Sequence, residues 1–72
     1  MTKDEKLEIL AEAMDIDADE LADDAVLSSF DEWDSLAALS LMSLLYNKLQ
    51  KRITPTEVKE LKTVADAIAA ME

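Results

Sequence analysis

With 72 residues, a net charge of −10 and no Cys, His or Gly, the chain lacks the means for several kinds of chemistry. There can be no disulfide, no thiolate or imidazole metal site, no Ser-His-Asp or Cys-His nucleophile and no glycine-rich phosphate loop. The charge opposes nucleic acid and anionic membrane surfaces, which need basic neutralisation, and it suits either a basic protein partner or plain solubility.

The first predicted helix opens on Thr2-Lys3-Asp4-Glu5, a capping-box pattern, and Leu7, Leu10, Ala11 and Met14 follow at helical spacing. That pattern ends at Asp15. From 15 to 34 runs a long acidic connection carrying apolar anchors at Ile16, Leu21, Val26, Leu27, Phe30 and Trp33, which predicts a loop pinned across a helical bundle. A short helical turn around Asp19 to Ala22 fits within it.

A second helix is expected from Asp34-Ser35 to about Leu49, because Asp and Ser both cap well. Leu36, Leu39, Met42, Leu45 and Leu49 are its predicted buried face, widened by Leu41 and Leu44 into a surface fit to pack between neighbours. Lys48, Lys51 and Arg52 complement the negative end of its dipole. Ile53 then anchors a turn, and Thr54-Pro55 introduces a short third helix with Val58 and Leu61 facing inward. Thr63 and Asp66 open the last helix, with Val64, Ala67, Ile68 and Met71 on its core side.

These elements predict one all-α domain over 1–72, a four-helix bundle with helices near 3–14, 35–49, 56–61 and 64–71, a long first loop and a short third helix. A core this small supports a stability on the order of 3–5 kcal/mol. The longest apolar run, Leu36 to Tyr46, is broken by Ser40 and Ser43 and is too short to span a bilayer. The opening Met-Thr-Lys-Asp-Glu-Lys leads into charge, not into a secretory segment. The expectation is a cytoplasmic monomer with no membrane insertion.

Ser35 is the residue through which chemistry would enter. A serine at a helix N-terminus sits where free amides and the helix dipole favour negative charge, so a phosphate ester there would be stabilised by geometry already built. Capping alone is the other reading of Asp34-Ser35. Asp15, Asp17, Asp19 and Glu20 alternate like a calcium loop but lack its glycine and its spaced terminal Glu, so no metal site is expected.

Trp33-Asp34-Ser35-Leu36 resembles the phosphopantetheine attachment motif of the acyl carrier protein family. The likeness continues through Asp24-Ala25-Val26-Leu27, through Ile53 and the Glu57-to-Leu61 helix, and through Lys62-Thr63-Val64-Ala65-Asp66-Ala67-Ile68. The resemblance implies an acyl-carrier-type bundle that is no enzyme. Its Ser35 would receive 4′-phosphopantetheine from coenzyme A through a phosphopantetheinyl transferase, the arm bringing the thiol that the chain lacks. Asp34 would assist that metal-dependent transfer, and Leu36 would contact partner enzymes that load and process the acyl group. The acyl pocket would lie between the second and third helices, lined by Leu41, Leu45, Val58, Leu61 and Ala67. Trp33 is expected to pin the loop.

One departure from the family concerns docking. Its members typically present acids on the second helix, where this chain has Ala37, Ser40, Tyr46 and Asn47, with Lys48 the only charge between Ser35 and Leu49. The acidity lies instead in residues 1–34, thirteen acids against two bases, whereas 35–62 holds two acids against five bases. Docking is therefore expected through the acidic first loop, Asp31 and Glu32 above all, together with an apolar second helix. That pattern suits a dedicated pathway, such as secondary metabolite, modified lipid or surface polysaccharide assembly, over general fatty-acid synthesis. Two rival functions remain at this level: an aminoacyl or peptidyl carrier of the same fold, and an unmodified helical adaptor that binds a partner helix.

Overall fold

The computed structural model describes residues 2–72. Four α-helices lie among them: α1 (Lys3–Met14), α2 (Ser35–Leu49), α3 (Pro55–Lys59) and α4 (Val64–Ala70). Each starts where a side-chain oxygen meets a free backbone amide. Thr2, Thr54 and Thr63 accept from the amide three residues on, and Glu5, Glu57 and Asp66 reach back to the cap, closing three capping boxes. At α2 the cap is Asp34, whose Oδ1 accepts from the Ala37 amide at 2.9 Å. Pro55 occupies the first turn of α3, where a missing N–H leaves no helical bond unmade.

Helix ends normally recruit glycine for the left-handed residue that closes them. Here Asp15 (φ 59°) and Gln50 (φ 53°) take that conformation after α1 and α2. Asp adopts it with little strain, whereas Gln bears the clash between Cβ and the carbonyl. The third helix starts at Pro55 and stops at Lys59, earlier at both ends than expected. The Glu60 amide draws on carbonyls of the preceding turn and tightens it, so Leu61 falls outside the helix.

The loop from 15 to 34 contains two 3₁₀ turns, Ala18–Glu20 and Leu27–Ser29. Leu21 and Leu27 plug into the core, and Ile16, Phe30 and Trp33 pack half-buried against it. Backbone bonds fasten the loop to the start of α4. The Leu27 amide donates to the Lys62 carbonyl at 2.8 Å, and the Val64 and Ala65 amides donate to Ala25 and Asp23 at 3.0 Å. Val26 differs from its expected anchoring role: its side chain is 47% exposed, and its backbone holds the loop by bridging to Thr63.

The core lies where α1 packs on α2 and α4 and where α3 closes against α2. Leu10, Leu27, Leu41, Leu45, Val58 and Val64 are sealed within it, and Ile9 and Ala13 on α1 join them. On α2 the buried row is Ala37, Leu41 and Leu45. The expected face through Leu36 and Leu39 is corrected here, because those two are 74% and 60% exposed. An α2 that is apolar nearly all round leaves its phase to be set by tertiary packing, chiefly against α1.

Candidate functional site

Ser35 is the first residue of α2, exposed at the helix end. Its neighbour Asp34 makes the cap, so the serine hydroxyl is not needed for that purpose. The first-turn amides and the dipole of a fifteen-residue helix converge beside it. This placement follows from the loop: Phe30 and Trp33 are packed on the core immediately before Asp34 and fix where the helix begins. Trp33 donates its amide to the Phe30 carbonyl at 3.1 Å, which shapes the approach.

A cavity of about 410 Å³ opens between α2 and α3 at Ser35. Trp33, Asp34 and Ser35 form its mouth; Leu39, Met42, Pro55 and Val58 give an apolar wall; Lys59 adds a cation. Of the five residues expected to line an acyl pocket, Val58 alone reaches this cavity. Leu41, Leu45 and Ala67 lie in the closed core, and Leu61 is half-buried after α3. The residues that line it instead stand on the α2 row beginning at Ser35 and running through Ala38, Leu39 and Met42. That spacing was visible in the sequence, but expecting Leu39 and Met42 to be core hid it.

On the other side of the helix start, Glu32, Asp34, Leu36 and Ser40 share a shallow depression with the end of α1. Glu32 and Leu36 are thus brought together beside Asp34, and Asp31 is exposed on the loop immediately before. Leu36, Leu39 and Tyr46 are the large apolar side chains that α2 exposes, the last 51% accessible. Further along, the Arg52 guanidinium lies 5.2 Å from the centre of the Tyr46 ring. No helix among the described residues is long and apolar enough to cross a membrane.

A family model described as a phosphopantetheine attachment site matches residues 7–71. No curated protein matches the chain. The matched span takes in α2, α3, α4 and most of α1, and it includes every wall of the cavity at Ser35.

Proposed function

The chain belongs to the phosphopantetheine attachment-site family, whose members carry that group covalently, and from this premise we propose that it is an acyl carrier protein modified at Ser35. The observation that carries the assignment is an exposed hydroxyl at the start of a long helix, relieved of capping by Asp34 and opening onto an apolar cavity. The site fits the group: first-turn amides and the dipole favour the phosphodiester, and Lys59 on the cavity wall provides an opposite charge. When bound, the arm supplies a terminal thiol that holds cargo as a thioester.

Modification is a phosphoryl transfer from coenzyme A. The Ser35 oxygen would bond to the phosphorus nearest the pantetheine, the pyrophosphate P–O bond would break to release adenosine 3′,5′-bisphosphate, and the serine proton would pass to a base on the transferase. Asp34 sits one residue away with one carboxylate oxygen committed to the Ala37 amide and the other available to the transferase's metal ion. The carrier presents its cargo to other enzymes and is not itself a catalyst. Its docking surface combines the acids Asp31 and Glu32 with exposed Leu36, a pairing suited to partners with a basic rim around an apolar pocket. Modification takes place in the cytoplasm, with coenzyme A as donor.

Intact mass after incubation with coenzyme A and a promiscuous phosphopantetheinyl transferase is the direct test. The carrier gains one phosphopantetheinyl group, and Ser35→Ala gains none. An unchanged wild-type mass would mean an unmodified adaptor. Offering the holo protein to acyl-transferring and to adenylating loading enzymes distinguishes an acyl from an aminoacyl carrier.

A further inference from the structure

The far end of the α2–α3 groove has no role in the function proposed above. The cavity at Ser35 is continued by a second of about 540 Å³, bounded by Tyr46 and Arg52, and Met42 and Pro55 are walls of both. One trough therefore follows α2 from Ser35 to Tyr46. Those residues are eleven positions apart, about 16 Å at the helical rise of ~1.5 Å per residue. A phosphopantetheine arm has about fourteen bonds between the serine oxygen and its sulfur, and at ~3.3–3.6 Å per three extended bonds it reaches about 16 Å. Trough and arm are the same length.

The end of the trough is chemically distinct from its middle. Ala38, Leu39, Met42 and Val58 make the middle apolar, whereas the Arg52 guanidinium lies over the Tyr46 ring at the end. Arg52 also has no carboxylate partner among the described residues, in a chain with seventeen acids and seven bases. A guanidinium held over a ring by its central carbon has N–H groups left for a planar anion. A long saturated chain continuing from the arm would leave the trough over a charge and into water, while Leu41 and Leu45 close the core behind.

Resting on the carrier function proposed above, with the resting arm lying between α2 and α3, we infer that Arg52 and Tyr46 at the far end of the trough form a terminal subsite. That subsite takes the thioester end and favours short acyl groups bearing a carboxylate close to the thioester carbonyl. The carboxylate accepts from the Arg52 edge, and the Tyr46 ring holds the guanidinium in place.

The test loads the full chain from malonyl-, succinyl-, acetyl- and butyryl-coenzyme A with a promiscuous transferase, checks each product by intact mass, and records NMR spectra of the loaded forms. Every loaded form is expected to shift the Met42 methyl relative to the unmodified chain. The two carboxylate-bearing forms shift the Arg52 Nε–Hε and Tyr46 ring signals further than the neutral forms do. Arg52→Gln removes that difference while the mass gain is unchanged. Loaded protein with no change at Met42, Tyr46 or Arg52 overturns the inference and leaves the carrier function standing, as do equal Arg52 shifts from neutral and carboxylate-bearing cargo. A sample that gains no mass sinks the carrier function, and this inference with it.

Discussion

Asp34 caps α2 and is proposed to assist arm loading, and a pair of substitutions separates the two roles. Its Oδ1 accepts from the Ala37 amide at 2.9 Å and starts α2. Replacing an aspartate cap with alanine costs about 1 kcal/mol. Against a total of about 3–5 kcal/mol for a domain this size, that is a sizeable fraction. It lowers the melting temperature by roughly 4–8 °C. Asp34→Asn keeps an oxygen acceptor at the same place and loses only the charge–dipole attraction, about 0.5 kcal/mol. In thermal melts followed by circular dichroism, Asp34→Ala should therefore fall well below Asp34→Asn. Arm loading, followed as mass gain at a temperature where both variants are folded, should order them differently. Both should load slowly, because neither offers the transferase's metal ion a carboxylate. If Asp34→Asn loads at the wild-type rate, Asp34 is a cap and nothing more. If it melts as low as Asp34→Ala, the bond to Ala37 is not what holds the helix start.

Leu36→Ala should leave stability within about 0.5 kcal/mol, since the side chain is largely in water, yet slow acyl transfer by the partner enzyme. By contrast, Leu45→Ala empties a sealed site and should cost about 3 kcal/mol in a urea titration, most of what the domain has. Gln50→Gly relieves the left-handed strain after α2 and should raise stability by about 0.5–1 kcal/mol, seen as a higher melting temperature. Reversing Asp31 and Glu32 together to lysine should slow partner transfer more than Lys48→Glu does. Lys48 faces Glu12 at 3.4 Å on the α1 side, so its reversal acts mainly on that pair, and the opposite ranking would refute docking through the loop.

The helices were legible because their signals are local. Thr2 with Glu5, Thr63 with Asp66, Asp34 before an apolar run and Pro55 after Thr54 each specify a helix start within four residues. The position of Ser35, the proposed attachment residue, at the start of α2 was legible for the same reason, because its short motif lies at one of those starts. What the sequence withheld was the phase of α2. Leu36, Leu39, Leu41, Met42, Leu44, Leu45 and Leu49 spread apolar character around the helix, and no single stripe names the buried side. The fastening of the loop was hidden for a different reason. The bonds from Leu27, Val64 and Ala65 are made by backbone groups, which every residue but proline carries alike.

That phase decides more than packing. At roughly 100° per residue, the buried row Ala37, Leu41, Leu45 lies about 120° from the trough row of Ser35, Ala38, Leu39, Met42 and Tyr46. Leu36 and Ser40 lie roughly another 120° on, toward the depression beside Glu32. One helix therefore gives one face to the core, one to the groove that starts at Ser35, and one to the proposed partner surface. Turning α2 by a single residue would bury Leu36 and move Ser35 off the groove. The buried row Ala37, Leu41 and Leu45, packed into the core, sets the rotation that aligns all three faces.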